Sequence, residues 1–396
     1  MFHLPVELVG LILDEIDEHT DLKTLTLVSR TFAGPSQYRL FRSMTLAMDT
    51  VVGLSNILSQ SPHIGPYVHD LHININILSG GIQASLAPAI RPLSKVRHVT
   101  ISALRGQPWL FWSWNACSKD LKTALISLLS LPTIHSLALV RCCGVPAALI
   151  SHAISCYENV ILQVADLDVA KRKINFGKPR EPNPLKHLVL LDYSPAVTPD
   201  VHAVLLRPEV KAAAAHLQHL KITLPLPLQA RDGLHIISEY APSLQQLTIE
   251  FYRDAFRDTL SRALTQINLP ALPRLRSLNL RASIPLHVGI PDPLLLLIAS
   301  LSALTPNLEF FNIDLTVIPF RAPNRPKAQD PSALAADEAL VCLRLAHLRE
   351  VRLMVAIGPE ASYYSQGILH VRSKIQDILP RANAAAILSF SDQPTH

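Results

Sequence analysis

The sequence predicts an α/β protein: three short N-terminal helices, then a body in which strand-like and helix-like segments alternate. Three observations predict it. The first 45 residues hold three helix-length apolar stretches. After them the pattern Φ-x-x-Φ-x-Φ, with Φ apolar, recurs nine times. Between its copies lie helix-like runs that end in Pro or a polar turn, and such alternation at a steady period marks repeating units that cover one another.

Pro5 suits the first helical position, because its missing N–H would be unpaired there anyway. Val6, Val9, Leu13 and Ile16 then recur at helical spacing, while Leu8, Leu11 and Ile12 widen the stripe beyond one core face. A second helix is expected from Asp21, with Leu22, Leu25 and Val28 on one side. Gly34-Pro35 should break it, and a third helix should begin near Ser36. Three small helices cannot bury this much apolar surface among themselves. The surplus points to a partner protein.

The body's repeats are Val68/Leu71/Ile73, Val96/Val99/Ile101, Ile134/Leu137/Leu139, Leu185/Leu188/Leu190 and Leu217/Leu220/Ile222. Leu244/Leu247/Ile249, Leu275/Leu278/Leu280, Leu308/Phe311/Ile313 and Leu348/Val351/Leu353 complete them. Their middle residues stand 28, 38, 51, 32, 27, 31, 33 and 40 apart. The last two apolar positions of each alternate with polar ones, as on a half-buried strand. Helices are expected over Lys119–Leu131, Val145–Tyr157, Ala230–Tyr240, Leu294–Leu304 and Ser332–Leu345. A further helix over Gln366–Leu379 would close the array.

The N-terminal string Leu-Pro-x-Glu-Leu, then Leu-x-x-Val-Ser-Arg-x-Phe and Tyr-Arg-Leu-Phe, resembles an F-box. The matching positions are Leu4, Pro5, Glu7, Leu8, Ile12, Leu25, Val28, Ser29, Arg30 and Phe32. The resemblance implies that these residues dock on the Skp adaptor and, through it, on a cullin–RING ubiquitin ligase. The repeats resemble leucine-rich repeats. They depart from them at the ninth position, where Asn or Cys is expected: only Asn76 and Cys142 fit, and Leu104, Tyr193, Pro225, Tyr252, Ser283, Thr316 and Ala356 stand elsewhere. The expected organisation is a three-helix F-box at 1–45, an irregular leucine-rich-repeat-like βα solenoid at 46–357, and a capping helix with tail at 358–396.

Composition bounds the function classes. With 49% hydrophobic and 17% charged residues, the chain is not intrinsically disordered. Residues 1–21 carry six acidic residues and no Lys or Arg, leaving 36 basic against 25 acidic residues in the remainder. That asymmetry points weakly to an acidic or nucleic-acid partner for the body. Five cysteines, two of them adjacent, make no even framework and suit a reducing cytosol or nucleus. No N-terminal signal pattern is visible, and the longest uncharged apolar stretch, 293–306, is too short for a bilayer. A cytoplasmic or nuclear protein with no membrane span is expected.

Catalytic templates fail. No Gly-x-Ser-x-Gly elbow, Walker loop, Cys-x-x-Cys pair, His-Glu-x-x-His or dinucleotide glycine fingerprint occurs, so neither an enzyme nor a cofactor or metal site is expected. The pairs His69/His72 and His216/His219 straddle strand starts, where side chains diverge. Lys171-Arg172-Lys173 with Lys178 and Arg180 reads as a solvated insertion; without interleaved aromatics, nucleic-acid binding is the weaker reading. The stretch Pro108–Trp114 holds all three tryptophans and is either a target-binding loop, through Trp109 and Trp112, or a plug in an irregular core.

The remaining candidates are the outward strand positions, which flank the inward apolar pair of each repeat. There Lys221, Arg281 and Arg352 lie beside Glu250, Asp314 and Glu350, with Phe310 and Met354 as large apolar exceptions. Mixed charge with a few apolar anchors fits a target-protein surface. The function expected is substrate recognition for a Skp–cullin–F-box ligase. A non-degradative repeat scaffold and a nucleic-acid-binding protein are the alternatives.

Overall fold

The computed structural model describes residues 5–16, 18–74, 80–103, 111–164, 167–168, 174–176, 184–191, 198–224, 227–251, 269–285, 298–301, 303–318, 348–357 and 388–391. It is an α/β protein with parallel sheets, divided into two compact units, Met1–Asn183 and Pro184–His396.

The first unit opens with α1 (Val6–Asp14), α2 (His19–Val28) and α3 (Arg30–Arg42). Its strands are β1 (Ser43–Ala47), β2 (Asp70–Asn74), β3 (His98–Ser102), β4 (Trp112–Ser113), β5 (Ser136–Cys143), β6 (Val145–Pro146), β7 (Asn159–Val164) and β8 (Leu167–Asp168). Between them run α4 (Val51–Gln60), α5 (Gly80–Ile90), α6 (Lys119–Leu129) and α7 (Ala147–Cys156). Five strands form one parallel sheet in the order β1-β2-β3-β5-β7; β4 adds to β5, and β6 pairs with β8.

The second unit holds β9 (His187–Leu190), α8 (Thr198–Leu205), α9 (Pro208–Ala213), β10 (His219–Leu224), α10 (Pro227–Tyr240) and β11 (Gln246–Phe251). Then come β12 (Ser277–Pro285), β13 (Phe310–Ile318), β14 (Glu350–Ile357) and β15 (Leu388–Ser391). Each strand pairs in parallel with the next in sequence.

The register explains the repeat pattern. In the first unit Met44, Leu71, Val99, Leu137 and Val160 align across the sheet, as do Leu46, Ile73, Ile101, Leu139 and Leu162. In the second, Leu188, Leu220, Leu247, Leu278, Phe311 and Val351 align in the same way. All of these are buried. So is the leading apolar residue of every repeat, from Val68 to Leu348. A slip of one residue would turn each strand's apolar set to the opposite face, so burial of these rows fixes the register.

Several expectations need correction. Pro5 caps α1 instead of opening it, and its carbonyl accepts the Val9 N–H at 3.2 Å. Gly34-Pro35 does not break the second helix; both residues lie inside α3. The break falls at Ser29, whose extended backbone (φ −156°, ψ 152°) ends α2 and starts α3. Pro35 removes one helical N–H, the one that would have reached the carbonyl of Thr31, an exposed residue. Val28 does not share the buried side with Leu22: it is 65% exposed.

The sheets also hold strands that the pattern missed. The 51-residue interval contains β7, whose leading residue is Tyr157, followed by Val160 and Leu162, all buried. Tyr157 fills an apolar position because its hydroxyl donates to the Leu129 carbonyl. β1 precedes the first counted repeat, and β15 lies within the segment assigned to the cap and tail.

Of the expected helices, α6, α7 and α10 match closely, although Val145 belongs to β6. Residues 298–301 and 303–304 are helical within the expected 294–304. The helices expected at 332–345 and 366–379 lie outside the described residues.

Candidate functional site

Two surfaces follow from this arrangement. The first is built by α1–α3. Val9, Leu13 and Leu22 form a small buried cluster, against which Ile16, Leu25, Phe32 and Leu40 pack. An ion pair between Arg39 and Asp14 ties α3 to α1. This cluster consumes only one side of the helices. Leu8, Leu11 and Ile12 on α1 and Leu27 and Val28 at the end of α2 stay exposed, Leu11 at 61% and Leu27 at 87%.

The expected adaptor-contacting residues divide accordingly. Pro5, Glu7, Leu8, Ile12, Val28 and Arg30 are exposed, and Ser29 is half-buried. Leu25 and Phe32 support the internal cluster, so they shape the surface from beneath. Leu4 lies outside the described residues. Leu11 and Leu27 were not among the candidates, yet they are more exposed than Leu8 or Ile12. For Leu11 the signal was present, since its stripe was too wide for one core face. Leu27 stands off the Leu22/Leu25 side of α2 and gave a signal only once that side was known to face inward.

At the other end of α3, Tyr38 meets Tyr67 edge-on at 5.9 Å and His69 at 5.5 Å. Burial, helped by Arg97 and Arg42, lowers the His69 pKa from its ordinary value. His69 is thus a packing residue between helix and strand. His219 packs against His187 across β9 and β10 at 4.1 Å between ring centroids.

The second surface is the outward face of the second unit's sheet. Register places Val189, Lys221, Thr248, Asn279, Asn312 and Arg352 in one row. The row beside it holds Thr223, Glu250, Arg281, Asp314 and Met354. The side chain of Met354, like all of Trp109, lies outside the described residues.

The charges on this face are paired within it. Lys221 Nζ is 2.9 Å from Glu250, Arg281 Nε is 3.4 Å from Asp314, and Arg352 Nη2 is 3.1 Å from Glu350. The basic trend seen in the sequence is therefore largely neutralised. Between the ion pairs runs an amide chain that sequence reading missed. Asn312 Nδ2 donates to Asn279 Oδ1 at 2.6 Å, and Asn279 Nδ2 donates to Thr248 Oγ1 at 3.3 Å. Burial raises the Asp314 pKa, opposed by Arg281 and reinforced by Glu250. Among the described residues, Phe310 is the large apolar group exposed on this face.

Trp112 is corrected as a target contact: it is 1% exposed, aligned with Cys142 and edge-on to buried Trp114 at 5.9 Å. Core filling is the reading that burial favours for both tryptophans. Nearby, Gly144 has φ +60°, and a Cβ there would lie 2.5 Å from the Asn115 amide nitrogen. Cys142 serves the ninth repeat position as an internal donor, its Sγ 3.6 Å from the Ile101 carbonyl. Burial pushes the Cys117 thiol up to about 12 and raises Cys142 further still, so both stay protonated and unreactive at neutral pH. No cluster of three His, Cys, Asp or Glu suited to a metal occurs among the described residues. No helix among them is long and apolar enough to cross a membrane. The basic run at 171–180 lies almost wholly outside them.

No protein-family model matches the chain, and no curated protein matches it.

Proposed function

We propose that this chain is the substrate-recognition subunit of a Skp–cullin–F-box ubiquitin ligase. Residues 1–45 act as the F-box, 46–357 as an irregular leucine-rich-repeat-like solenoid, and 358–396 as its cap and tail. The observation that carries this reading is the apolar surface left open on α1 and α2. Leu8, Leu11, Ile12, Leu27 and Val28 are uncovered in the same segment whose Pro5-x-Glu7-Leu8 and Val28-Ser29-Arg30-x-Phe32 resemble an F-box. Aliphatic anchors ringed by polar groups are what a docking surface requires.

In this role the chain performs no chemistry. It holds a target protein beside a charged transfer enzyme and so makes the transfer nearly intramolecular. The target sits on the outward face of the second unit, with Phe310 as an apolar anchor and the Lys221–Glu250 and Arg281–Asp314 pairs around it. The paired charges favour a protein target over nucleic acid, because few cations on this face remain to meet phosphates.

Capture of purified Skp adaptor by the full chain tests the docking. Leu8→Ala with Ile12→Ala is expected to weaken capture at least tenfold, about 1.4 kcal/mol or more. Undiminished capture by a folded double variant would remove the reading. Separately, Arg281→Glu with Phe310→Ala should abolish target capture and spare adaptor capture, since Arg281→Glu places a third carboxylate beside Asp314 and Glu250.

A further inference from the structure

A second feature of the Pro184–His396 unit lies at the start of its strands. A cleft of about 570 Å³ is lined by Gln245, Arg274, Arg276, Asn307, Glu309 and Arg349, together with Pro273. Gln245, Arg276, Glu309 and Arg349 are the residues immediately before β11, β12, β13 and β14. They form one row. The Arg276 N–H donates to the Gln245 carbonyl, Glu309 to Arg276, and Arg349 to Glu309, each at 2.8 Å. Neighbouring members are therefore about one strand separation apart, roughly 4.8 Å.

Side-chain chemistry follows from that spacing. Glu309 stands between two arginines, with Arg276 Nη1 at 3.7 Å and Arg349 Nε at 3.5 Å. One carboxylate thus orients two guanidinium groups without matching their charge. Arg274 adds a third cation and forms no ion pair with another described residue. Asn307 Nδ2 donates to the Pro273 carbonyl at 2.7 Å, which holds the two loops together. The carbonyls of Gln245, Arg276 and Glu309 each accept a second N–H from the following strand: Ser277, Phe310 and Glu350 donate at 2.9 to 3.4 Å. These three carbonyl oxygens are occupied, and the cleft presents mainly guanidinium donors.

Three arginines against one glutamate leave two positive charges. Cations are excluded by that balance, and a single carboxylate would match only half of it. A phosphate monoester carries about −1.5 to −2 at neutral pH and three acceptor oxygens. Planar guanidinium forks suit those oxygens in pairs. The cleft is also larger than a phosphate ion needs, which leaves room for the group that bears it. We propose that this cleft binds the phosphoryl group of a phosphate monoester. The site is independent of adaptor docking, since none of its residues lies in α1–α3.

The test uses the purified full chain alone, so its outcome does not depend on the adaptor. A fluorescein-labelled phosphoserine peptide with neutral flanks, its serine twin and glucose 6-phosphate are the probes, with polarisation for the peptides and calorimetry for the sugar phosphate. Saturable binding of either phosphorylated probe, competed by inorganic phosphate and at least tenfold weaker in both Arg274→Ala and Arg349→Ala, supports the site. Which probe binds tells whether the ester comes from a protein or from a small molecule. Arg91→Ala, a cation of the other unit, should change nothing. Equal binding of the serine twin, absence of binding by both phosphorylated probes, or unchanged affinity in the two cleft variants while circular dichroism reports a folded chain would each overturn the proposal.

Discussion

In the strands of both units, every inward position whose burial is described is buried, while among the described apolar residues of α1–α3 only Val9, Leu13 and Leu22 are buried. The difference is geometric. A parallel strand receives an equivalent strand on each side, so one apolar row is covered by the next and by the helices that return between them. Three helices spanning 9, 10 and 13 residues share one small cluster, and although α3 packs on through Tyr38 against Tyr67 and His69, the outer side of α1 and the end of α2 stay uncovered. Abundant apolar residues therefore mean a closed core in one region and open surface in the other, and only neighbours distant in sequence decide which.

The largest effect expected from this comparison is in a sheet row. Leu247 is fully buried between Leu220 and Leu278. Leu247→Ala should lower unfolding free energy by about 2–5 kcal/mol, from lost transfer energy plus the cavity left behind. Urea unfolding monitored by circular dichroism measures it. A loss below about 1 kcal/mol would mean the rows are loosely packed and the contrast with α1–α3 is overstated.

Next in size is a backbone contact. Gly65 lies against Pro92, and a Cβ built there would fall 2.3 Å from the Pro92 carbonyl oxygen. That atom is main chain and cannot swing aside. Gly65→Ala should cost about 1–3 kcal/mol by overpacking. A neutral result would show that the 3₁₀ turn at Pro62–Tyr67 shifts freely on the sheet.

How far the sequence reveals each region follows the same division. The rows from β2 to β14 were legible because inward apolar positions keep one spacing whatever the loops do. β7 escaped because Tyr157 is not counted as apolar until Leu129 supplies its hydroxyl with a partner. β1 escaped because it directly follows α3, and β4 because two residues hold no period. The surplus on α1 was legible as a stripe too wide for a core. The exposure of Val28 was not, since it depends on Ser29 ending the helix. Neither was the pairing of Lys221 with Glu250 or the amide chain from Asn312 to Thr248, since both join residues 29 or more apart through sheet register.

A smaller expectation concerns pH. Asp314 sits in the sheet's outward face with its pKa raised, chiefly by burial and partly by Glu250, despite Arg281. A raised carboxyl holds its proton more tightly folded than unfolded. Its contribution therefore favours the folded state at acid pH and is lost as pH rises through the carboxylate range. Half-buried Glu239, lowered by its hydrogen bond from Lys211, has the opposite sense: its contribution is present above that range and is lost as pH falls. Asp314→Asn should remove the first slope and leave the second, measured as urea midpoints from pH 3 to 7. Identical pH profiles for variant and parent would show that burial at this face does not perturb Asp314.

The smallest expected effect is the one that bears most directly on the open surface. Leu27 is 87% exposed and Leu11 61%, so in the free chain neither side chain has apolar cover to lose. Leu27→Gln and Leu11→Gln should each change unfolding free energy by no more than about 0.5 kcal/mol, the range usual for surface substitutions. Both should also slow aggregation, because each removes a large exposed apolar side chain. Leu13→Ala, one turn from Leu11's neighbours but inside the cluster, should cost about 2 kcal/mol or more in the same measurement. The paired result separates open surface from hidden core within a single helix. A loss above about 1 kcal/mol for Leu27→Gln would mean that another part of the chain covers this face, and the surplus on which the docking proposal rests would disappear.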